Sequence, residues 1–207
     1  MNLENITTII FDLGGVVLDI DYQLTQKAFE EMGAANFQEQ FTQAAQSGIF
    51  DAYEVGEMSS AHFINKLMEF MPAGTSPNKV VHAWNAMIKE IPAENLTLLK
   101  KLKEKYQVIA LSNTNELHIE FFEGKLRKHG KNLHMTDFFH FPYYSSQLGM
   151  RKPHVDTFQH VCNLHQLDKT KTLFIDDTIR HIEGAQKCGL RTFHFTDGAY
   201  QLNQLFS

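Results

Sequence analysis

Short apolar runs and segments with helical spacing follow each other along the second half of the chain. The helical segments place apolar residues on one face, as in Val155, Phe158 and Cys162. The apolar runs are typical of buried strands, and they are expected at 108–112, within 139–145, at 172–176 and at 191–195. Because strand and helix come in strict turn, we predict an α/β protein with a parallel sheet, right-handed crossovers and helices on both faces.

The first apolar run, Ile9–Phe11, lies far upstream of the others and ends on Asp12. It leads directly into a turn formed by Gly14 and Gly15. From there the spacing of apolar residues is helical as far as residue 88, with no convincing strand. The chain is therefore expected to insert a helical region after its first strand.

Polar residues follow three of the predicted strands. Asp12 follows the first, Ser112 and Asn113 end the second, and the pair Asp176–Asp177 ends a third. In open α/β sheets ligands bind at the carboxyl ends of the strands, so these side chains are candidates for one site. The alternative for each is a helix cap or an Asx turn.

A cation lies in a tight connection of the same region. Lys152 stands before Pro153 and directly after Arg151. A lone lysine in such a turn is more often a solvated surface residue. Arg151 is interpreted as a surface residue or one at the edge of a substrate site.

Four segments in a fixed order, FDLGGVVLDID, LSNTN, LGMRKP and FIDD, resemble those of the haloacid dehalogenase superfamily of hydrolases. The resemblance runs from about Thr8 to Thr196 and looks most like a branch of small-sugar phosphatases that includes bacterial α-glucose 1-phosphate phosphatases. It implies a Rossmann-like catalytic core of residues 1–17 and 89–207. It also implies a small α-helical cap domain at residues 18–88.

The resemblance further implies a phosphatase that forms an aspartyl-phosphate. Asp12 is the expected nucleophile, since a carboxylate can attack phosphorus and divide one displacement into two easier ones. Lys152 is expected to neutralise charge on the transferred phosphoryl group and to bind the substrate. Ser112 and Asn113 are expected to bind the phosphate, and the alternative for both is the N-cap of the next helix.

Mg²⁺ is the cofactor that this resemblance implies, because it prefers oxygen ligands and partners phosphates. Its ligands are expected to come from Asp12, the Gly14 carbonyl, Asp176 and Asp177. Two adjacent carboxylates repel each other unless a cation lies between them. The analogy favours Asp177 as the direct ligand and leaves the choice between the two open.

One position departs from the pattern of these phosphatases, which generally carry a second Asp two residues after the nucleophile. Gly14 occupies that place, so the side chain that would exchange protons with the leaving group is absent. Water or another carboxylate would have to replace it, the candidates being Asp19, Asp21, Glu54 and Glu57. A good leaving group, such as the sugar of a hexose 1-phosphate, is therefore the favoured substrate class.

Two other functions stay open. A 2-haloacid dehalogenase uses the same attack by Asp and also lacks the second Asp, but it needs no metal, usually lacks the acid pair and binds its substrate with an Arg from the cap. This chain keeps Asp176–Asp177 and has no Arg before Arg127. A catalytically inactive phosphosugar-binding protein is the other alternative.

Composition and the remaining motifs add smaller expectations. A net charge of −5 gives no general attraction to nucleic acid or anionic membranes, and we expect neither as a partner. Cys162 and Cys188 are expected to be buried free thiols, which fits a cytoplasmic protein, as does an N-terminus without a signal peptide.

Phe50, Tyr53, Glu54 and Glu57 are expected in a loop of the cap, and His118 is a weaker candidate for the site. Oligomeric state cannot be read from the sequence.

Overall fold

A computed structural model describes residues 3–34 and 48–206 of the chain. At its centre lies a parallel sheet of five strands in the order β3-β2-β1-β4-β5. The strands are β1 (Thr8–Phe11), β2 (Gln107–Ser112), β3 (Phe141–Tyr144), β4 (Thr172–Asp176) and β5 (Arg191–His194). The predicted parallel α/β sheet is therefore confirmed, and every predicted strand is present.

Helices occupy most of the remaining described chain. Those before β2 are α1 (Tyr22–Glu31), α2 (Ile49–Glu54), α3 (Ser60–Met68), α4 (Pro77–Asn85) and α5 (Ala93–Lys103). Those after β2 are α6 (Glu116–His129), α7 (Met135–Phe138), α8 (Ser145–Leu148), α9 (Val155–Leu164), α10 (Ile179–Cys188) and α11 (Leu202–Leu205). Short 3-10 turns precede β4 and α11, at Lys169–Lys171 and Ala199–Gln201.

Side chains of the central strand β1 alternate between two hydrophobic layers. Ile9 and Phe11 pack with residues of α5 and α6, such as Leu99, on one face. Ile10 packs on the other face with residues of α9 and α10, such as Phe158. Both layers exclude water from the sheet, as expected for a parallel sheet covered on each side. Cys162 and Cys188 are buried and free, as the sequence analysis expects.

Helices α1 to α4 form a third hydrophobic cluster, which includes Phe29, Phe63 and Trp84. The chain enters and leaves this helical region through two antiparallel segments that are hydrogen-bonded to each other. The Asp19 N–H donates to the Glu90 carbonyl at 2.9 Å, and the Asp21 N–H donates to the Met87 carbonyl at 2.8 Å. Where the boundary between core and cap lies stays a prediction. No helix of the described ranges is long and apolar enough to cross a membrane.

A buried amide connects the segment after β1 to the C-terminal turn. Asn95, on α5, is fully buried. Its Nδ2 donates to the Val17 carbonyl at 2.9 Å and to the Ala199 carbonyl at 2.7 Å. Because these groups lie far apart in sequence, one side chain holds two segments against the same helix.

We therefore expect Asn95→Leu to lower the free energy of unfolding by about 2 kcal/mol, because two carbonyls lose a buried donor. Urea denaturation followed by circular dichroism measures the change. Thr97→Ala is the matched control, since the Thr97 hydroxyl bonds only the Ala93 carbonyl on the exposed face of the same helix. Equal midpoints for Asn95→Leu and Thr97→Ala would contradict this role for Asn95.

Candidate active site

The carboxyl ends of β1, β2 and β4 meet at one edge of the sheet. Asp12 follows β1, Ser112 is the last residue of β2, and Asp176 is the last residue of β4. A cavity of about 400 Å³ opens above this edge. The lining residues that lie outside the helical region include Asp12, Gly14, Ser112, Asn113, Lys152 and Asp177. The structure thus brings the predicted site residues together, with Asp176 beneath the lining.

Lys152 lies at the centre of this edge and is not a surface lysine. Its side chain is 0% exposed. Its ammonium lies 2.9 Å from Asp12 Oδ1 and 2.7 Å from Asp176 Oδ2. A buried ammonium needs such partners, because desolvation of an unpaired charge is costly. Burial alone would lower the pKa of Lys152, but the two carboxylates outweigh it and raise the pKa above its usual value.

Asn113 holds the backbone of Lys152 in place. The Asn113 Nδ2 donates to the Lys152 carbonyl at 2.8 Å, and the Lys152 N–H donates to Asn113 Oδ1 at 2.9 Å. The Asn113 side-chain amide is therefore engaged within the protein, and its expected contact with phosphate stays a prediction. Neither Asn113 nor Ser112 is the N-cap of the next helix, because Asn115 caps α6.

The carboxylate of Asp176 is fully buried and accepts hydrogen bonds at both oxygens. Besides Lys152, the donors are the Thr178 N–H at 2.8 Å and His181 Nδ1, which is 3.0 Å from each oxygen. Burial raises the pKa of Asp176, but Lys152 and His181 outweigh it and hold the pKa below its usual range. Asp176 therefore holds both the Lys152 ammonium and the His181 ring in place.

The sequence analysis missed His181. It lies in the first turn of α10, five residues after Asp176, so its ring faces back toward the end of β4. A histidine one helical turn after a strand-end acid is the pattern that could have identified it. Asp12, Asp176 and His181 each offer a ligand atom, and these atoms lie within 4.8 Å of one another.

Asp177 lines the cavity, whereas Asp176 does not. Its Oδ1 accepts the Thr178 hydroxyl at 3.2 Å. Gly15, at φ 75°, passes so close that a Cβ built on it would lie 2.2 Å from Asp177 Oδ2. The turn after β1 therefore needs glycine here, both for its conformation and for the space that the carboxylate occupies.

Asp12 has one engaged and one open carboxylate oxygen. Its Oδ1 accepts the Leu13 N–H at 2.7 Å and the Lys152 ammonium. Its Oδ2 has no hydrogen-bond donor among the described residues. Burial raises the pKa of Asp12 to about 7, opposed by Lys152 and assisted by Asp176 and Asp177. A bound cation would favour the ionised form.

The helical region supplies the opposite wall of the cavity. Phe50 and Trp84 stack with ring centroids 5.7 Å apart, and Trp84 stacks on His118 at 5.1 Å. Burial lowers the pKa of His118 to about 4, so the ring is neutral near pH 7. Tyr22 lies at the cavity mouth. Phe50, Trp84 and the neutral His118 thus give the cavity an aromatic surface beside Glu54.

The residues expected in a loop of the cap form helix α2 instead, as far as Glu54. Tyr53 of this helix is buried, and its hydroxyl accepts the Leu117 N–H at 3.2 Å, which favours the helical turn over a solvated loop. Arg151 lies beside α2 and pairs with Glu54 Oε2 at 2.6 Å and with Asp51. Of the two predictions for Arg151, the structure favours the edge of the site.

A family model for haloacid dehalogenase-like hydrolases matches residues 6–189. The chain belongs to this family. It is 30% identical to the D-ribitol-5-phosphate phosphatase of Bacteroides thetaiotaomicron over 195 residues, which is 94% of each chain. The family resemblance that the four motifs carry is confirmed. The narrower branch of α-glucose 1-phosphate phosphatases stays a prediction.

Solved structures of family members superpose closely on this chain. One is a haloacid dehalogenase (HAD) family enzyme from Bacteroides thetaiotaomicron in complex with magnesium and inorganic phosphate. It is 33% identical to this chain and superposes with a TM-score of 0.82, over 91% of this chain and 93% of that one. Another is a HAD-like family hydrolase from Porphyromonas gingivalis, 26% identical, with a TM-score of 0.85 over 97% of this chain and 96% of that one. The fold of this hydrolase is therefore that of its family.

The raised pKa of Asp12 predicts a dependence of stability on pH. Folded Asp12 keeps its proton up to about pH 7, whereas the unfolded chain releases it near 3.8. The folded state binds more protons between these values, so its stability falls as pH rises through this window. In chelator, the free energy of unfolding of the wild type relative to Asp12→Asn should fall by about 2 kcal/mol from about pH 5 to about pH 7. Urea titrations at each pH measure this, and a difference independent of pH would contradict it.

Proposed function

We propose that this hydrolase is a Mg²⁺-dependent phosphatase that acts on a small phosphorylated sugar or polyol through an aspartyl-phosphate on Asp12. The observation that carries the proposal is the buried Lys152 ammonium, bonded to both Asp12 and Asp176 at the floor of the cavity. A dehalogenase substrate brings a single carboxylate, whereas a phosphoryl group brings more negative charge for such a floor to neutralise.

Asp12 acts as the nucleophile. The Leu13 N–H and Lys152 fix one carboxylate oxygen, which leaves Oδ2 to attack phosphorus. Lys152 also neutralises charge on the transferred oxygens, and its bond to Asp176 keeps it at the cavity floor. Ser112, the last residue of β2, lines the same floor and offers a hydroxyl to the phosphate. Hydrolysis of the aspartyl-phosphate then restores Asp12.

The oxygen donors at this edge suit Mg²⁺. The carboxylates of Asp12 and Asp177 and the Gly14 carbonyl would hold it, with water completing the shell. When bound, the ion neutralises phosphoryl charge and positions the phosphate. Asp177 fits a direct ligand better than Asp176, because both oxygens of Asp176 already accept hydrogen bonds from Thr178, Lys152 and His181.

The substrate class follows from the cavity and the relatives. The aromatic wall of Phe50, Trp84 and His118 suits the apolar faces of a sugar or polyol, while Glu54 and Arg151 can bond hydroxyl groups. A relative at 30% identity is a D-ribitol-5-phosphate phosphatase, which supports a phosphorylated polyhydroxyl compound. Hexose 1-phosphate, favoured by the glycine at position 14, stays our predicted candidate, to be compared with ribitol 5-phosphate. The helical region of residues 18–88 is proposed as the cap, and the cytoplasm as the compartment.

A panel of substrates tests the proposal. We expect phosphate release from glucose 1-phosphate or ribitol 5-phosphate with Mg²⁺, a rate at least about a hundredfold lower in chelator, and loss of about a thousandfold or more in Asp12→Asn. Equal rates in excess chelator would contradict the metal dependence. Chloride release from 2-chloropropionate would instead identify a dehalogenase, and phosphosugar binding without turnover an inactive binding protein.

The close approach of Gly15 to Asp177 predicts a specific defect in metal binding. A methyl group at Gly15 would displace the Asp177 carboxylate, so Gly15→Ala should raise the Mg²⁺ concentration for half-maximal activity by about tenfold or more. Gly74→Ala is the matched control, because Gly74 has a similar φ of 86° and nothing within 4 Å of a built Cβ. Both variants carry the backbone cost, so equal Mg²⁺ dependence in the two would contradict the position of Asp177 as a ligand.

A further inference from the structure

We propose that Glu54 is the general acid and base of this enzyme and replaces the aspartate that position 14 lacks. The inference rests on the proposed phosphatase activity and concerns the proton on the leaving oxygen. Glu54 lines the same cavity as Asp12, on the opposite wall. A substrate whose phosphoryl group lies against Asp12 would extend its leaving group into the cavity that Glu54 also lines.

The structure separates Glu54 from the three other acids that the sequence offers for this role. None of these three lines the cavity. Asp19 pairs with Lys89 at 2.5 Å, and Asp21 caps α1 by accepting the Gln23 N–H at 3.0 Å. Glu57 is exposed.

Other proton-exchanging groups of the cavity are less suited. Burial raises the pKa of Tyr22 to about 12, which makes it a poor donor and leaves no base near pH 7. His118 is neutral, and its ring nitrogens contact the Trp84 carbonyl and the Asn115 amide. His181 also lines the cavity, but its Nδ1 is hydrogen-bonded to the Asp176 carboxylate.

The core fixes the end of α2 that carries Glu54. The Ser145 hydroxyl donates to the Glu54 carbonyl at 2.6 Å. Two residues further on, Gly56 packs so closely on the Ser146 carbonyl that a Cβ would lie 2.1 Å from it. Arg151 binds the Glu54 side chain itself at 2.6 Å. Three contacts from the core thus set the position of one carboxylate, as a proton-transfer group requires.

The carboxylate keeps one oxygen for this chemistry. Arg151 binds Oε2, and Oε1 has no partner among the described residues. Burial raises the pKa of Glu54 above its usual value even though Arg151 opposes the shift. A carboxyl group with a raised pKa carries a proton in a larger share of molecules near neutral pH, which a general acid needs.

Ile20 occupies the space beside Gly14. The φ of Gly14 lies outside the left-handed region, so the backbone does not by itself demand glycine. A Cβ at this position would lie 3.0 Å from Ile20 Cδ1. The Ile20 side chain thus crowds the first atom of any side chain placed there.

The proposed steps balance. The Asp12 carboxylate forms a bond to phosphorus while the bond from phosphorus to the alkoxide oxygen breaks, and protonated Glu54 gives its proton to that oxygen to release the alcohol. Water then attacks phosphorus while Glu54 takes one of its protons. The products are hydrogen phosphate, free Asp12 and protonated Glu54.

The test compares an alkyl and an aryl substrate in Glu54→Gln, which keeps an oxygen for Arg151. Ribitol 5-phosphate is an alkyl ester whose leaving oxygen needs a proton, so its turnover should fall by at least about a hundredfold. The leaving group of 4-nitrophenyl phosphate departs without a proton. Formation of the aspartyl-phosphate from this substrate should therefore persist, while hydrolysis of the aspartyl-phosphate slows. Stopped-flow absorbance should then show a burst of one nitrophenolate per enzyme, followed by a slow steady state.

Asp51→Asn is the matched control, since it removes the other, exposed carboxylate of Arg151 and should show wild-type rates and no burst. Wild-type turnover of ribitol 5-phosphate in Glu54→Gln would overturn the proposal. A higher KM with equal loss of turnover on both substrates would also overturn it, because that result indicates a role in binding. We would measure His181→Asn in the same assay, and a burst in that variant but not in Glu54→Gln would assign the proton transfer to His181 instead. If the wild type hydrolyses no phosphate ester, the proposed function itself fails, and the two failures are thereby distinguished.

Discussion

The site depends on one buried ammonium between two carboxylates. Lys152 can be buried only because Asp12 and Asp176 neutralise it, and Asp12 keeps its place beside β1 partly because Lys152 binds it. Removing Lys152 would leave two buried carboxylates without their cation, which costs more than the ion pairs themselves contribute. The sheet makes the arrangement possible, since β1 and β4 are neighbours whose ends deliver these carboxylates to one side of Lys152.

The negative charge around this ammonium exceeds what it can neutralise. Asp12, Asp176 and Asp177 face one lysine, and His181 adds a cation only when protonated. Burial together with this repulsion accounts for the raised pKa of both Asp12 and Asp177. A divalent cation removes the imbalance. The carboxylates that line the cavity are those of Asp12 and Asp177, whereas both oxygens of Asp176 are already hydrogen-bonded.

The sequence predicted the sheet and its polar edge because both depend on local patterns. Apolar runs and strand-end polar residues located Asp12, Ser112 and Asp176, and motif order located Lys152. It could not predict that Asn113 binds the lysine backbone, since that contact joins residues far apart in the chain. Helix α2 was also missed, because Tyr53 turns inward only where the Leu117 N–H is available to it.

The paired connections at residues 19–21 and 87–90 have a consequence for how such enzymes diversify. The helical region leaves and rejoins the sheet through one narrow ribbon, with hydrogen bonds between its two sides. An insertion whose ends lie side by side can be lengthened, shortened or replaced without moving β1 or β2. Substrate preference could thus change through one exchangeable segment while Asp12, Lys152 and Asp177 stay in place. The contacts of Ser145 and Arg151 with Glu54 are what a transplanted segment would have to reproduce.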